Sequence, residues 1–301
     1  MIRFIRLICI GLCTLSLAAY IGVSIYSRNN VDSTAPEISM EEDEITISAQ
    51  DSTDEILKGI TAVDDKDGDV TQYLTLETFS NFISSGVREA TIAVFDSAGN
   101  VSRVTRTVKY SDYTSPRVFV RGPLKAPLSD MTVLLKKIQV VDCIDGDITG
   151  NLQIVSEKSI SSIIPAEYQM RLQVSNSAGD TLDLPVTVEF YSSSGGADPA
   201  IQLTDYLIYV KKGEKVNPLS YIKQLIVNSD VYVWNQDGEE FTSLPSADEE
   251  TGKTFSADKV KIDNPVDTSV PGTYEIQYSL QNDDENSSVY LIVVVEGQED
   301  K

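Results

Sequence analysis

Fifteen residues, Ile60 to Leu74 (ITAVDDKDGDVTQYL), return 78 positions later as Ile138 to Leu152 (IQVVDCIDGDITGNL), with eight positions identical. A second pair trails each copy at a similar distance: Val94-Phe95-Asp96-Ser97-Ala98-Gly99-Asn100 and Val174-Ser175-Asn176-Ser177-Ala178-Gly179-Asp180. Two matched segments in the same order mean that a whole module of about 80 residues is duplicated. A 301-residue chain built this way divides into small domains. Each then buries only roughly 60 to 65% of its unfolded surface.

Within the modules the period is two, the signature of a strand with one face in a core. Tyr168, Met170, Leu172 and Val174 alternate with Gln169, Arg171, Gln173 and Ser175. Tyr274, Ile276, Tyr278 and Leu280 alternate with Glu275, Gln277, Ser279 and Gln281, and Ala90, Ile92 and Val94 repeat the pattern in the first module. Leu182 to Phe190 alternates too, but it contains Pro185, which cannot donate to a ladder, so that position is expected at a sheet edge or facing outward. The Ser-Ala-Gly segments read as hairpin connections in which glycine supplies a positive φ. Short alternating strands without helical periodicity after residue 27 predict an all-β chain of antiparallel sandwiches.

Linkers set the boundaries: 34–110 and 114–190 each open on a Thr-x-Pro step, and Ser192-Ser193-Ser194-Gly195-Gly196 reads as a flexible spacer before a third module at 199–296. That module is longer by an insert at about 226–256, where the others carry their Asp-Gly-Asp turn. The insert holds the chain's one tryptophan, Trp234, in a stretch that reads as a hairpin arm and its turn, Val231 to Gly238.

Residues 1–27 are of another kind. Arg3 and Arg6 precede an uncharged apolar run, Leu7 to Tyr26, long enough for a hydrocarbon core of about 30 Å. The cationic flank predicts a cytoplasmic N-terminus and extracytoplasmic modules, with residues 5–26 in the membrane. A cleaved secretory signal is the alternative, because Ser16-Leu17-Ala18 offers small residues to a signal peptidase, but the apolar run continues beyond it.

Composition narrows the chemistry. Lys plus Arg is 24 and Asp plus Glu is 46, a net charge of −22, which repels a phosphate backbone and argues against nucleic acid as a partner. The chain has no histidine, so Ser-His-Asp, Cys-His and imidazole-zinc sites are excluded. Of three cysteines, Cys9 and Cys13 lie in the apolar run and Cys143 stands alone, expected as a small core residue.

Asp64 to Thr71 (DDKDGDVT), Asp96 to Asn100 (DSAGN), Val210 to Ile222 (VKKGEKVNPLSYI) and Val266 to Tyr274 (VDTSVPGTY) resemble the bacterial immunoglobulin-like modules of the crystal-toxin type, found in tandem on Gram-positive surface proteins. The resemblance is strongest in the first module and at both ends of the third. It implies a seven-strand-like sandwich and surface display, and it transfers no catalytic residue.

Two groups of residues are candidates for binding. Asp64, Asp67 and Asp69, mirrored by Asp142, Asp145 and Asp147, offer carboxylate oxygens suited to calcium. Their spacing is not that of an EF-hand, and the expectation is an Asp-rich turn whose carboxylates cap backbone amides, with no cofactor. Tyr232, Trp234 and Phe241 are candidates for a ligand surface, with core packing as the expected alternative. Asp267-Thr268-Ser269 lacks the second copy that an aspartic-protease dyad requires. The expected function is a membrane-anchored bacterial surface protein, not an enzyme, whose modules serve as a binding, adhesion or spacer element for a protein or glycan partner. The alternative is a carbohydrate-binding or carboxylate-only enzymatic accessory using the third module.

Overall fold

The computed structural model describes residues 2–30, 32–156, 164–192, 200–227, 229–235, 240–243, 252–282 and 285–297. Helix α1 (Ile2–Asn30) contains the apolar stretch Phe4–Tyr26, whose 23 residues rise about 35 Å. By length and composition it can cross a membrane, a test that a signal sequence passes equally. Beyond α1 the regular structure of the described residues is mainly strand, joined by turns and short 3-10 segments. The chain divides into two units, Met1–Tyr113 and Thr114–Lys301.

The first unit carries seven strands: β1 (Glu37–Met40), β2 (Glu44–Ile47), β3 (Ile60–Asp64), β4 (Gly68–Asp69), β5 (Thr75–Phe79), β6 (Val87–Phe95) and β7 (Val101–Tyr110). They form the sheets β1-β3-β4 and β2-β7-β6-β5. Ile47, Ile56, Ile60, Ala90, Ile92 and Val108 fill the space between them, with Ala62, Val70 and Val94 forming a smaller cluster. The alternation of Ala90, Ile92 and Val94 points inward as their period requires. One feature departs from a purely antiparallel sandwich. The opening strand is split, so that β1 pairs antiparallel with β3 while β2 crosses to the other sheet and runs parallel to β7. That crossing covers the outer side of β7 with a partner.

The second module repeats this plan in β8 (Arg117–Val120), β9 (Lys125–Pro127), the short helix α2 (Thr132–Leu135), β10 (Ile138–Asp142), β11 (Gly146–Asp147), β12 (Gln153–Ser156), β13 (Ala166–Ser175) and β14 (Thr181–Tyr191). Its sheets are β8-β10-β11 and β12-β13-β14-β9. Tyr168, Met170, Leu172 and Val174 of β13 are all buried while Gln169 and Arg171 are exposed. Pro185 sits opposite Arg171, whereas β9 pairs with β14 only at Glu189 to Tyr191, so the proline faces an unpaired stretch of edge. Cys143 is not a core residue: it is half-buried in the turn after β10, with Sγ donating to Thr114 O at 3.2 Å.

The third module contains β15 (Ile201–Leu203), β16 (Leu207–Lys211), β17 (Ile222–Val227), β18 (Asp230–Asn235), β19 (Glu240–Ser243), β20 (Thr254–Phe255), β21 (Val260–Asp263), β22 (Gly272–Asn282) and β23 (Glu285–Glu296). The insert extends one sheet, giving β15-β17-β18-β19-β20 against β16-β23-β22-β21. The turn at 236–239 lies outside the described residues, but β18 and β19 pair antiparallel on either side of it, Trp234 opposite Phe241.

Modules two and three belong to one unit. A single hydrophobic cluster runs through both, from Val118 to Val295. Polar contacts add to it. Tyr209 Oη accepts from Val118 N at 2.8 Å, and the guanidinium of Arg117 stacks 4.6 Å from the Tyr209 ring while pairing with Glu296. Glu275 accepts from Thr187 N at 2.6 Å and also from the Thr187 hydroxyl, and Tyr290 Oη donates to Glu167 at 2.8 Å. Thr187 lies on the polar side of β14, yet it is only 6% exposed, because β22 of the next module covers it. The Ser/Gly spacer expected at 192–196 lies, past Ser192, outside the described residues.

Candidate functional site

The Asp-rich turns are built alike in the two copies. Gly68 and Gly146 hold φ of +74° and +73°, which lets the chain reverse between β3 and β4 and between β10 and β11. The first aspartate is buried and closes the turn: Asp64 Oδ1 accepts from Lys66 N and Asp67 N, both at 2.9 Å, and Asp142 Oδ1 accepts from Ile144 N and Asp145 N at 2.8 and 2.9 Å. The second reaches across to the hairpin. Asp67 accepts from Ser97 N and Oγ at 2.6 and 2.8 Å, and Asp145 from Ser177 N and Oγ at 2.6 and 2.7 Å. The third caps the following 3-10 turn: Asp69 Oδ1 accepts from Thr71 N, and Asp147 Oδ1 from Thr149 N and Oγ1. Both halves of the repeat are thus one hydrogen-bonded device, which is why the Asp-Gly-Asp and Ser-Ala-Gly segments occur together.

The three aspartates of each turn thus direct these hydrogen bonds to three different places, the turn's own amides, the hairpin and the following 3-10 turn. Hydroxyl and backbone donors from Thr71 and Thr149 hold Asp69 and Asp147 below the usual carboxylate range. Asp267 of the protease-like triplet is likewise a turn residue, accepting from Ser269 N and Oγ at 2.9 and 2.6 Å.

What the structure brings together instead is Asp64 with Asp32 and Asp96. Carboxylate oxygens of these three lie within 4.8 Å of one another. Asp96 opens the Ser-Ala-Gly hairpin turn, and Asp32 follows α1 by two residues. Asp96 was visible in the repeat, where the second module has Asn176. Asp32 stands before the first sandwich, and nothing in the periodicity marks it.

In the insert, Tyr232 is 7% exposed and Phe241 fully buried, so those two aromatic rings belong to the core. Trp234 is half-buried, edge-on to Phe241 with ring centroids 4.9 Å apart, and Tyr232 packs against Phe255 at 5.5 Å. The three side chains share no exposed face; Trp234 alone reaches the surface.

Between modules two and three, burial pushes the Glu275 carboxyl above its ordinary value, with the Thr187 hydroxyl and N–H opposing it. Its partner Thr187 also lines a narrow crevice with Lys125 and Tyr290.

Comparison with known proteins places residues 227–291 in the family model described as bacterial surface protein, Ig-like domain. The curated proteins give no match. Among solved structures, the chain is similar to the CBM51-2 (in complex with GlcNAc) and INT domains of Clostridium perfringens ZmpB, at 19% identity over 50% of this chain and 26% of that one, TM-score 0.21. A lipoprotein of Bacteroides thetaiotaomicron matches at 13% identity over 85% and 98%, TM-score 0.20. The Protocadherin GammaB4 extracellular domain matches at 11% over 88% and 50%, TM-score 0.18. The chain spans about a quarter of the first of these. The match to the bacterial surface immunoglobulin-like domain model runs from the end of β17 into β23, within the third module.

Proposed function

We propose that the chain is an anchored surface element whose immunoglobulin-like modules act as a stiff spacer, with α1 in the membrane, Arg3 and Arg6 on the cytoplasmic side and the modules outside. The observation that carries this reading is the seam between modules two and three. A shared apolar cluster, the Tyr209 to Val118 bond and the Thr187 to Glu275 pair join them into one body, where a flexible string of modules would leave those faces wet. The seam's carboxylates serve the joint: Glu275 is taken by Thr187 and Glu167 by Tyr290. No side chain has a catalytic role on this reading.

The second reading, a glycan-binding accessory, draws on Trp234 at the surface of the widened sheet. Purified full chain applied to a glycan array separates the two. The spacer reading expects no saturable binding, and saturable binding lost in Trp234→Ala would favour the accessory instead.

A further inference from the structure

Asp64 is 4% exposed, and its two carboxylate oxygens fare differently. Oδ1 accepts two turn N–H groups, whereas Oδ2 is buried without a hydrogen-bond partner. A buried carboxylate oxygen left unmatched is costly in a fold that satisfies its other turns so fully. The groups nearest to it make matters worse. Asp96, 8% exposed, and Asp32, with its side chain 8% exposed, present further carboxylate oxygens within 4.8 Å. The counter-charge placed there is Lys66 Nζ, 3.5 Å from Asp32 and on a half-exposed side chain.

The second module shows how the same fold satisfies this place without an ion. Asn176 stands where the first module has Asp96, and its Nδ2 donates to Asp142 Oδ2 at 3.0 Å. Its Oδ1 still accepts from Ala178 N and Asp180 N, so the hairpin turn is unchanged by the amide. Asp112, which precedes the second Thr-x-Pro step as Asp32 precedes the first, is turned away to Ser48 Oγ and Ala49 N. The oxygen that receives an amide N–H in the second module therefore faces carboxylates in the first.

We propose that Asp32, Asp64 and Asp96 form a divalent-cation site that takes calcium. All three donors are hard carboxylate oxygens, with no thiolate or imidazole, a set that suits calcium, magnesium or manganese. They come from three separate segments, the chain after α1, the end of β3 and the turn after β6, which favours calcium's tolerance of irregular geometry over magnesium's near-ideal octahedron. Backbone carbonyls and water complete six to eight ligands in such sites. Asp96 is suited to the role: desolvation pushes its carboxyl up, but the Asn100 side chain and the N–H groups of Asn100, Gly99 and Ala98 outweigh this and hold it below its ordinary value. Because Asp32 is two residues past α1, the ion ties the segment leaving the helix to the first sandwich.

The test is a calorimetric titration of the full chain, in detergent micelles and freed of metal by chelator, with calcium chloride and separately with magnesium chloride. One saturable calcium per chain is expected, with Kd of about 10⁻⁵ to 10⁻³ M and magnesium at least about tenfold weaker. Asp96→Asn should abolish binding or weaken it at least about tenfold while keeping the fold, since the second module carries that residue in the same turn. Asp32→Asn, a change outside both sheets, should weaken it as well. The melting temperature of Asp96→Asn should lie above that of the unsubstituted chain in chelator and below it in calcium. Absence of saturable calcium binding, binding indifferent to Asp96→Asn, or an equal loss in Asp145→Asn would overturn the proposal.

Discussion

Asn176 Nδ2 donates to Asp142 Oδ2 at 3.0 Å, both side chains buried, and this one bond completes the hydrogen bonding of the second module's Asp-rich turn. It joins the turn after β10 to the hairpin after β13, 34 residues apart in sequence. Replacing the amide with a second carboxylate leaves like charges in contact where water cannot reach them. Asn176→Asp should therefore destabilise the chain at neutral pH by about 1 to 3 kcal/mol, read as a lower urea midpoint with an unchanged slope. An unchanged midpoint would show that the bond is not needed.

The seam makes a second expectation. Val118 is fully buried, and its N–H is met by Tyr209 Oη. Tyr209→Phe keeps the ring under Arg117 but strands that N–H, at a cost of about 1 to 3 kcal/mol. Arg117→Ala, which removes a pair whose side chains are 41% and 35% exposed, should cost no more than about 1 kcal/mol by comparison. Thermal unfolding of the two variants side by side checks the order, and equal effects would mean that the hydroxyl bond contributes nothing special.

Core packing in the insert gives a third. Phe241 is fully buried against Trp234, so Phe241→Ala should lose about 3 to 5 kcal/mol. The half-buried Trp234 should lose clearly less on the same substitution. If Phe241→Ala left the unfolding midpoint in place, the widened sheet would not be part of the core.

Acid should act through the turn carboxylates. Asp69 and Asp147 are held below 3.8 by threonine donors, and Asp183 by the Arg171 guanidinium. A depressed carboxyl contributes stability that is complete above its unfolded value and is lost as pH falls through its folded value. Unfolding midpoints should thus drop from about pH 4 downward, and Asp147→Asn should flatten part of that drop. Glu275 has the opposite sign. Burial raises it above 4.5, so the stability it contributes declines as pH climbs from there through its folded value, and Glu275→Gln should remove that decline. A pH series of the two variants that leaves both slopes intact would contradict these assignments.

Much of the sandwich was legible because single strands announce themselves: the alternation from Tyr168 to Val174 reports a buried face without knowledge of the partner sheet. The Asp-Gly turns were legible for a similar reason, since Gly68 and Gly146 need only their own backbone to be understood. The seam was not. Thr187 and Glu275 sit on polar faces 88 residues apart, and a polar face looks solvated until the element covering it is known. Sequence singled out Asp64 but grouped it with its neighbours Asp67 and Asp69, because proximity along the chain is all a single sequence shows. The difference between Asp96 and Asn176 in otherwise matched hairpins was the available signal, and its meaning depended on knowing that both face the first aspartate of the turn. Cys143 shows the converse, a small residue whose isolation suggested burial but whose thiol holds the entry to its module at Thr114.

The most direct measurement is protease digestion of intact cells expressing the full chain, followed by analysis of the membrane fraction. An anchored surface spacer predicts that added protease removes the modules, while a fragment containing residues 1–26 stays with the membrane after a high-salt wash. Full protection of the chain until the cells are lysed, or release of a soluble chain whose N-terminus begins at Ala19, would contradict it.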